Sequence, residues 1–347
     1  MIEIKVECGG GYGVFIEKGL LRRADELLCA YAGAAKYCIV SDGNVAPLYL
    51  EAVKARVLAL GAEVSEFVFP AGESNKTFAT VGRILEILAG LHFTRSDCLI
   101  ALGGGIVGDV CGFAASVYMR GIRFVQIPTT LLAAVDSSVG GKTGVNLGSL
   151  KNQVGAFWQP SLVICDPDTF STLPEREYRN GMAEVIKYSA ICAPELADKL
   201  DGDICEIIKT CVQIKSDIVS RDERDNGERM LLNYGHTFGH AVECASDERI
   251  PHGMAVAIGM MMACRVSERL GICGAEVADR TAALLSAHGL PLEADEFSAE
   301  MLYGAMQNDK KRAGSKVTLV LPRRFGECAL HTVTMDELRG IMIGADR

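Results

Sequence analysis

Three times in succession a short apolar run gives way to a segment of helical spacing: residues 37–42 then 45–60, 64–69 then 77–91, and 98–103 then 107–118. A strand followed by a helix of that length returns to a parallel neighbour, so this rhythm predicts crossover units on a mostly parallel sheet. Two further runs, 123–128 and 162–166, extend that sheet, while the glycine-rich start at 8–13 reads as a strand and turn outside it. Beyond Thr172-Leu173-Pro174 the apolar spacing turns helical up to about Met306, and the only later strands are a hairpin at 317–322 and 328–333. The class is therefore α/β. Its 347 residues suit two domains of ordinary size, 1–173 with the sheet and 174–347 mainly helical. No low-complexity linker separates them, so close packing around a cleft is expected.

The third strand-to-helix junction is Gly103-Gly104-Gly105-Ile106-Val107-Gly108, a GxGxxG loop after an apolar strand and before a helix. Backbone amides and a helix N-terminus in that setting bind a diphosphate, which makes the first domain Rossmann-like. The loop sits on a third or later strand, whereas the dinucleotide fingerprint usually occupies the first strand-to-helix turn. Asp42, ending an earlier strand, is the better candidate to accept a ribose hydroxyl. A tight turn with no ligand is the competing reading of the same glycines.

Three of the six histidines, His236, His240 and His252, fall in one short window, and Glu184 in a helical stretch can complete a metal site with them. His236 and His240 are four residues apart and so share a helix face. Imidazole and carboxylate donors suit a zinc-like ion, and three protein ligands leave positions open for substrate oxygens. Both histidines of the pair need not bind it. The spacing lacks the Glu of HExxH, so satisfied core or surface histidines remain the alternative.

Composition narrows the class. The net charge of -9 argues against nucleic-acid binding, so an anionic ligand needs a local basic pocket. The longest apolar runs, such as 255–264, are too short to span a bilayer, and the start lacks a signal-peptide layout. Thirteen cysteines, an odd number with no CxxC pair, read as scattered reduced thiols, and the chain is expected in the cytoplasm.

The most specific stretch is residues 120–146, RGIRFVQIPTTLLAAVDSSVGGKTGVN, followed by KNQVGAFWQP from Lys151. With SDGN from Ser41, PAGESNK from Pro70, GGGIVGD from Gly103, TLP from Thr172, GMAEVIKY from Gly181, the run Arg229–His240 and PHG from Pro251, it resembles the 3-dehydroquinate synthases, in order along nearly the whole chain. Sister sugar-phosphate cyclases share fold, glycine loop and metal site; the DSSVGGKTGxN segment favours the dehydroquinate branch. Two positions depart: Met254 stands where the family usually has Glu, and Ala134 where a larger side chain is common, which puts fine pocket shape in doubt.

The resemblance implies Zn²⁺ or Co²⁺ on Glu184, His236 and His252, with His240 near substrate. It implies NAD⁺ held by Asp42, Gly72, Glu73, Lys76, Gly103, Gly104, Gly105, Gly108, Asp109, Thr129, Thr130, Lys142, Lys151, Thr169 and Thr172. It implies an anionic sugar-phosphate substrate, 3-deoxy-D-arabino-heptulosonate 7-phosphate, met by Arg120, Asp136, Lys142, Asn152, Lys187, Lys215, Arg229, Asn233 and His240, with one of Lys310 or Lys311. The expected chemistry is transient oxidation at C5, β-elimination of phosphate, reduction, ring opening and aldol closure. A homodimer is implied, with Arg120 reaching a neighbouring pocket. Another sugar-phosphate cyclase, a metal-dependent polyol dehydrogenase and a non-catalytic nucleotide-binding descendant are the rivals; a binding module needs no metal triad.

Overall fold

A computed structural model describes residues 1–148, 150–247, 249–310 and 316–343. It divides into two compact units, Met1–Pro174 with Ile204–Arg224, and Glu175–Asp203 with Asp225–Arg347.

In the first unit the chain runs β1 (Ile2–Val6), β2 (Tyr12–Ile16), α1 (Ala24–Ala32), β3 (Lys36–Asp42), α2 (Ala46–Ala59), β4 (Glu63–Phe69), α3 (Phe78–Gly90), β5 (Cys98–Gly103), α4 (Gly105–Val117), β6 (Arg123–Pro128), β7 (Lys142–Leu147), β8 (Leu150–Phe157) and β9 (Leu162–Cys165). Helix α5 (Glu175–Ile191) opens the second unit, and α6 (Ile204–Arg221) returns to the first. Seven strands form one sheet in the order β1-β2-β9-β6-β5-β3-β4, all parallel except the edge strand β1, which runs antiparallel to β2. The start of the chain is thus inside the sheet, correcting the expectation that residues 8–13 stand apart. β2 pairs with β9, far away in sequence, and no local pattern announces such a partner.

Continuous apolar runs in β3 and β5 follow from burial on both faces. Tyr37, Ile39, Cys98, Ile100 and Leu102 pack with Leu27 and Leu28 of α1 and Leu50, Val53 and Val57 of α2. Cys38, Val40, Leu99 and Ala101 point the other way, against Val81, Ile84 and Leu88 of α3 and Val107, Val110 and Ala114 of α4. At roughly 1.5–3 kcal/mol for each fully buried large aliphatic side chain, these two layers fix the register of the central strands. Helix α3 begins where Thr77 caps it, its hydroxyl accepting from the Thr80 amide at 3.3 Å.

The strand order explains the late glycine loop. From β3 onward the sheet reads 2-1-3-4-5, so direction reverses between β3 and β5, and ligands of open α/β sheets bind outside the carboxyl ends of the strands at that reversal. Asp42 ends β3 and Gly103 ends β5, so both flank it.

In the second unit, α5 is followed by α7 (His236–Ala245), α8 (His252–Arg269), α9 (Ala275–Ala287), α10 (Ala299–Lys310), the antiparallel hairpin of β10 (Lys316–Arg324) and β11 (Glu327–Thr334), and α11 (Met335–Ile343). The sequence grouping put α6 here too; instead it packs on β1 and on the turn at Ala133–Ser137 in the first unit. An amphipathic pattern identifies a buried face but not what covers it. Among the described residues no helix is long and apolar enough to cross a membrane.

Candidate active site

Two helices approach closely because glycines face each other. A side chain at Gly259 of α8 would meet the Gly235 carbonyl carbon at 3.0 Å and its oxygen at 2.0 Å, and one at Gly239 of α7 would meet Ala255 and Val256 backbone at about 3.0–3.1 Å. Gly235 also needs the left-handed φ of +80° that lets α7 begin at His236. Gly253, beside His252, is equally confined: its amide is hydrogen-bonded to Asn180 Oδ1, and an added Cβ would strike the Asn180 carbonyl. Asn180 lies one turn before Glu184, so this contact ties the start of α8 to the turn of α5 that carries the carboxylate.

The result is a compact trio. Glu184 Oε1 lies 3.6 Å from His236 Nε2 and 3.5 Å from His252 Nε2. Donors on a tetrahedral ion with bonds of about 2.1 Å stand about 3.4 Å apart, so the spacing suits one ion, and the oxygen and nitrogen donors without thiolate suit zinc or cobalt. Glu184 is 1% exposed, whereas the His252 side chain is 34% exposed, leaving one side of the trio open. Lys187 Nζ stands 2.5 Å from Glu184 Oε2, so the expected substrate lysine faces the ligand carboxylate in this structure.

The rings of His236 and His252 are 5.1 Å apart, and His240 stands at 5.7 and 6.1 Å from them. His240 is exposed and belongs to a second group, with Glu243 and His252, whose donor atoms also lie near enough for an ion. Burial and neighbouring Lys187 push His236 down to about 3 despite Glu184. At His252 burial also disfavours the charge, but Glu184 and Glu243 outweigh it and raise the imidazolium to about 10. Arg229 is buried and Asn233 half-buried in the turn leading to α7.

In the first unit, α4 starts at the glycine loop with Gly104 as its cap and no side chain capping it. A Cβ at Gly104 would meet Thr130 Cγ2 at 3.0 Å, and one at Gly105 would meet Ser137 Oγ at 3.1 Å, so bare backbone lines this junction. A Cβ at Gly108 would press on Gln126 Oε1 at 2.6 Å, which lets α4 lie close to β6. The Thr129 amide donates to the Gly103 carbonyl at 3.0 Å, but its buried hydroxyl has no hydrogen-bond partner among the described residues. An orphaned buried hydroxyl beside the first amides of a helix is a fit for a polar ligand. The Ser138 hydroxyl is orphaned in the same way and escaped the sequence reading.

Lys76 is buried and joins several expected residues, pairing with Asp109 and donating to Asn152 Oδ1 at 2.5 Å. Burial pushes the Asp109 carboxyl up, with Lys76 opposing. Asn146, also absent from the expected set, completes the network: its amide donates to Glu73 Oε1 at 2.8 Å and its Oδ1 accepts from the Asn152 amide at 2.9 Å. Its one visible signal was its place at the end of the DSSVGGKTGVN segment. Asn152 adopts a left-handed φ of +52° on the β7–β8 hairpin.

Lys215 Nζ donates to the Asp136 carbonyl at 2.7 Å and lies 2.9 Å from Asp136 Oδ1, on a π-helical turn that also holds Ala134. Asp42 Oδ1 accepts from the Asn44 and Val45 amides at 2.8 and 3.0 Å, so part of its capacity serves the turn. Thr169 and Thr172 cluster with Tyr49, whose hydroxyl donates to the Thr169 carbonyl at 3.0 Å. Gly72 has a φ of +111°, and Arg120, exposed, one of +67°. Lys142 opens β7 exposed, and Lys151 is half-buried on β8. Lys310 ends α10, and Lys311 lies outside the described residues.

The family model described as 3-dehydroquinate synthase N-terminal matches residues 66–180, and that described as 3-dehydroquinate synthase C-terminal matches 181–312. The 3-dehydroquinate synthase of Streptococcus sanguinis is 44% identical over 339 residues, covering 94% of this chain and 96% of that protein. Among solved structures, 2-deoxy-scyllo-inosose synthase with carbaglucose-6-phosphate, NAD⁺ and Co²⁺ matches with a TM-score of 0.89 at 25% identity, covering 98% of this chain and 99% of that one. The 2-epi-5-epi-valiolone synthase of Streptomyces hygroscopicus subsp. jinggangensis, with NAD⁺ and Zn²⁺, matches at 0.86 and 28% identity, covering 96% of each chain.

Proposed function

The chain belongs to the 3-dehydroquinate synthase family, and on that premise we propose that it converts 3-deoxy-D-arabino-heptulosonate 7-phosphate to 3-dehydroquinate and phosphate. The reaction is a carbon–oxygen lyase step on a phosphate ester, run by oxidation, β-elimination, reduction, ring opening and aldol closure. The observation that carries this reading is the trio of Glu184, His236 and His252, with the carboxylate 3.6 and 3.5 Å from the two imidazoles, in a chain that also carries the Gly103–Gly108 junction. NAD⁺ and Zn²⁺ or Co²⁺ bound to two structural relatives support the same pairing of cofactors here.

When bound, NAD⁺ supplies a hydride acceptor that is regenerated within the cycle, and the divalent ion supplies a Lewis acid for the substrate hydroxyls. The residues of this chain do the rest. Glu184, His236 and His252 hold the ion, Gly103, Gly104 and Gly105 present amides to the diphosphate, and the Thr129 hydroxyl gains the partner it lacks. Lys142, Lys215 and Arg229 neutralise carboxylate and phosphate, which lets a net acidic protein accept an anionic substrate. His240, exposed at the edge of the trio, holds or passes a proton at its ring nitrogen. Holding the ring-opened chain in one conformer favours the aldol closure. A cytoplasmic homodimer completes the reading, the cytoplasm supported by an odd number of cysteines with no CxxC pair.

Purified protein given NAD⁺, Zn²⁺ and the heptulosonate phosphate is expected to release phosphate and dehydroquinate in equal amounts with no net change in nicotinamide absorbance. Phosphate without dehydroquinate would point to a sister cyclase. Stoichiometric NADH would point to a dehydrogenase.

A further inference from the structure

His236 and His252 both turn Nε2 toward Glu184, and each has a distinct acceptor behind its Nδ1. For His236 it is the Tyr234 carbonyl, at 3.1 Å. A carbonyl only accepts, so Nδ1 carries the hydrogen and Nε2 keeps its lone pair for the trio. For His252 it is the carboxylate of Glu243, with Oε2 3.5 Å from Nδ1, at the outer limit of a hydrogen bond. The backbone thus orients one ring, while the other depends on a side chain that is 5% exposed.

We propose that Glu243 is a positioning residue of the metal site: it accepts the Nδ1 hydrogen of His252, selects the tautomer with Nε2 free to ligate, and holds the ring against rotation. Three observations converge. Glu243 is seven residues after His236 on α7, so one helix carries both a ligand and the support of a ligand from α8. The close α7–α8 approach through Gly235, Gly239 and Gly259 brings the Glu243 carboxylate to the His252 ring. His252 is the more exposed of the two ligand rings, 34% against 14%, so packing alone confines it less. Carboxylates behind metal-bound imidazoles fix tautomer and orientation, and their loss typically weakens metal binding about 10–100-fold.

The inference rests on the metal reading above, and the experiment separates the two. Zn²⁺ affinity is measured by competition with a chromophoric chelator, the coordination environment by the visible spectrum of the Co²⁺ form, and NAD⁺ affinity by calorimetry, for wild type, His252→Ala, Glu243→Ala and Glu243→Gln. Glu243→Ala is expected to weaken Zn²⁺ about 10–100-fold with one ion still bound per chain and NAD⁺ affinity unchanged. Glu243→Gln, nearly the same shape and still able to accept from Nδ1, is expected to recover most of that loss with an unaltered Co²⁺ spectrum. Wild-type Zn²⁺ affinity in Glu243→Ala would overturn the positioning role, as would loss of the ion together with a changed spectrum in Glu243→Gln, which would make Glu243 a direct ligand. A wild-type protein that binds no ion, indistinguishable from His252→Ala, would instead overturn the metal reading itself. Thermal melting of each variant identifies any that fails to fold, and Glu243→Gln then carries the comparison.

Discussion

Lys187 stands one turn after Glu184 on α5, its ammonium 2.5 Å from Glu184 Oε2, and both side chains are only 1% exposed. A buried carboxylate beside a buried ammonium is stabilised by that partner, and removing one member leaves an uncompensated charge. A bound divalent ion provides a second positive partner for the same carboxylate, so the pair and the ion act on one group.

Lys187→Met should therefore destabilise the metal-free protein by roughly 3–5 kcal/mol, and Zn²⁺ should restore part of the loss. Thermal melting with and without Zn²⁺ checks this. An equal drop in both conditions would mean that the ion does not sit on Glu184.

Chelation is expected to abolish activity, and Zn²⁺ or Co²⁺ to restore it at one ion per chain. His252→Ala should lose the ion, while His240→Ala, on the exposed side, should keep it and turn over more slowly. Metal analysis and steady-state rates on both variants decide the division of roles. Equal loss of metal in both would favour the second grouping of His240, Glu243 and His252.

Thr129→Val tests the orphaned hydroxyl. With no partner among the described residues, its replacement by an apolar group of the same shape should leave melting without NAD⁺ unchanged or slightly raised. NAD⁺ affinity should fall by about 0.5–1.5 kcal/mol, on the order of 2–10-fold, when the hydrogen bond to the cofactor is lost. Unchanged affinity would remove Thr129 from the nucleotide pocket.

Lys142 opens the β7–β8 hairpin between glycines, where the backbone can approach a ligand closely. Lys142→Ala is expected to lower kcat/KM by about one to two decades, the worth of one charge-assisted hydrogen bond of roughly 1.5–3 kcal/mol. Lys142→Arg should rescue it poorly, because a planar fork does not replace a compact ammonium. Wild-type efficiency in the alanine variant would make Lys142 an ordinary hairpin residue.

Thiol labelling near pH 8 should find Cys29, Cys192 and Cys244 first, since these are exposed. Burial pushes Cys38 up to about 11 and Cys98 to about 12, so their thiolate fractions at that pH are negligible and they should label only on unfolding. Mass spectrometry of the labelled protein under native and denaturing conditions measures the difference.

The central strands of the first unit and the helices α2, α3 and α4 between them were legible because two-sided burial makes such strands continuous apolar runs, and 98–103 and 123–128 match β5 and β6 at both ends, whereas β1, α1 and the β7–β8 hairpin were not read. The residues of the trio were legible as candidates too, since few side chains donate nitrogen or oxygen to a zinc-like ion, and the fold brings those three together. Other features were not. Glu243 is an ordinary helix carboxylate until α8 lies across α7, and Asn146 gains its role only when the hairpin reaches the loop holding Glu73 and Lys76.

The sequence by itself determined the α/β class, the glycine junction, the donor types carried by Glu184, His236 and His252, and the family. Tertiary structure alone decided that α6 belongs to the first unit, that β2 joins β9, that β3 and β5 flank the reversal of the sheet, and that Lys187 faces Glu184. Periodicity and spacing record which face of an element is buried, because that depends on neighbours a few residues away. The partner on that face comes from packing between segments far apart in the chain, where glycine clearances and paired charges select one arrangement.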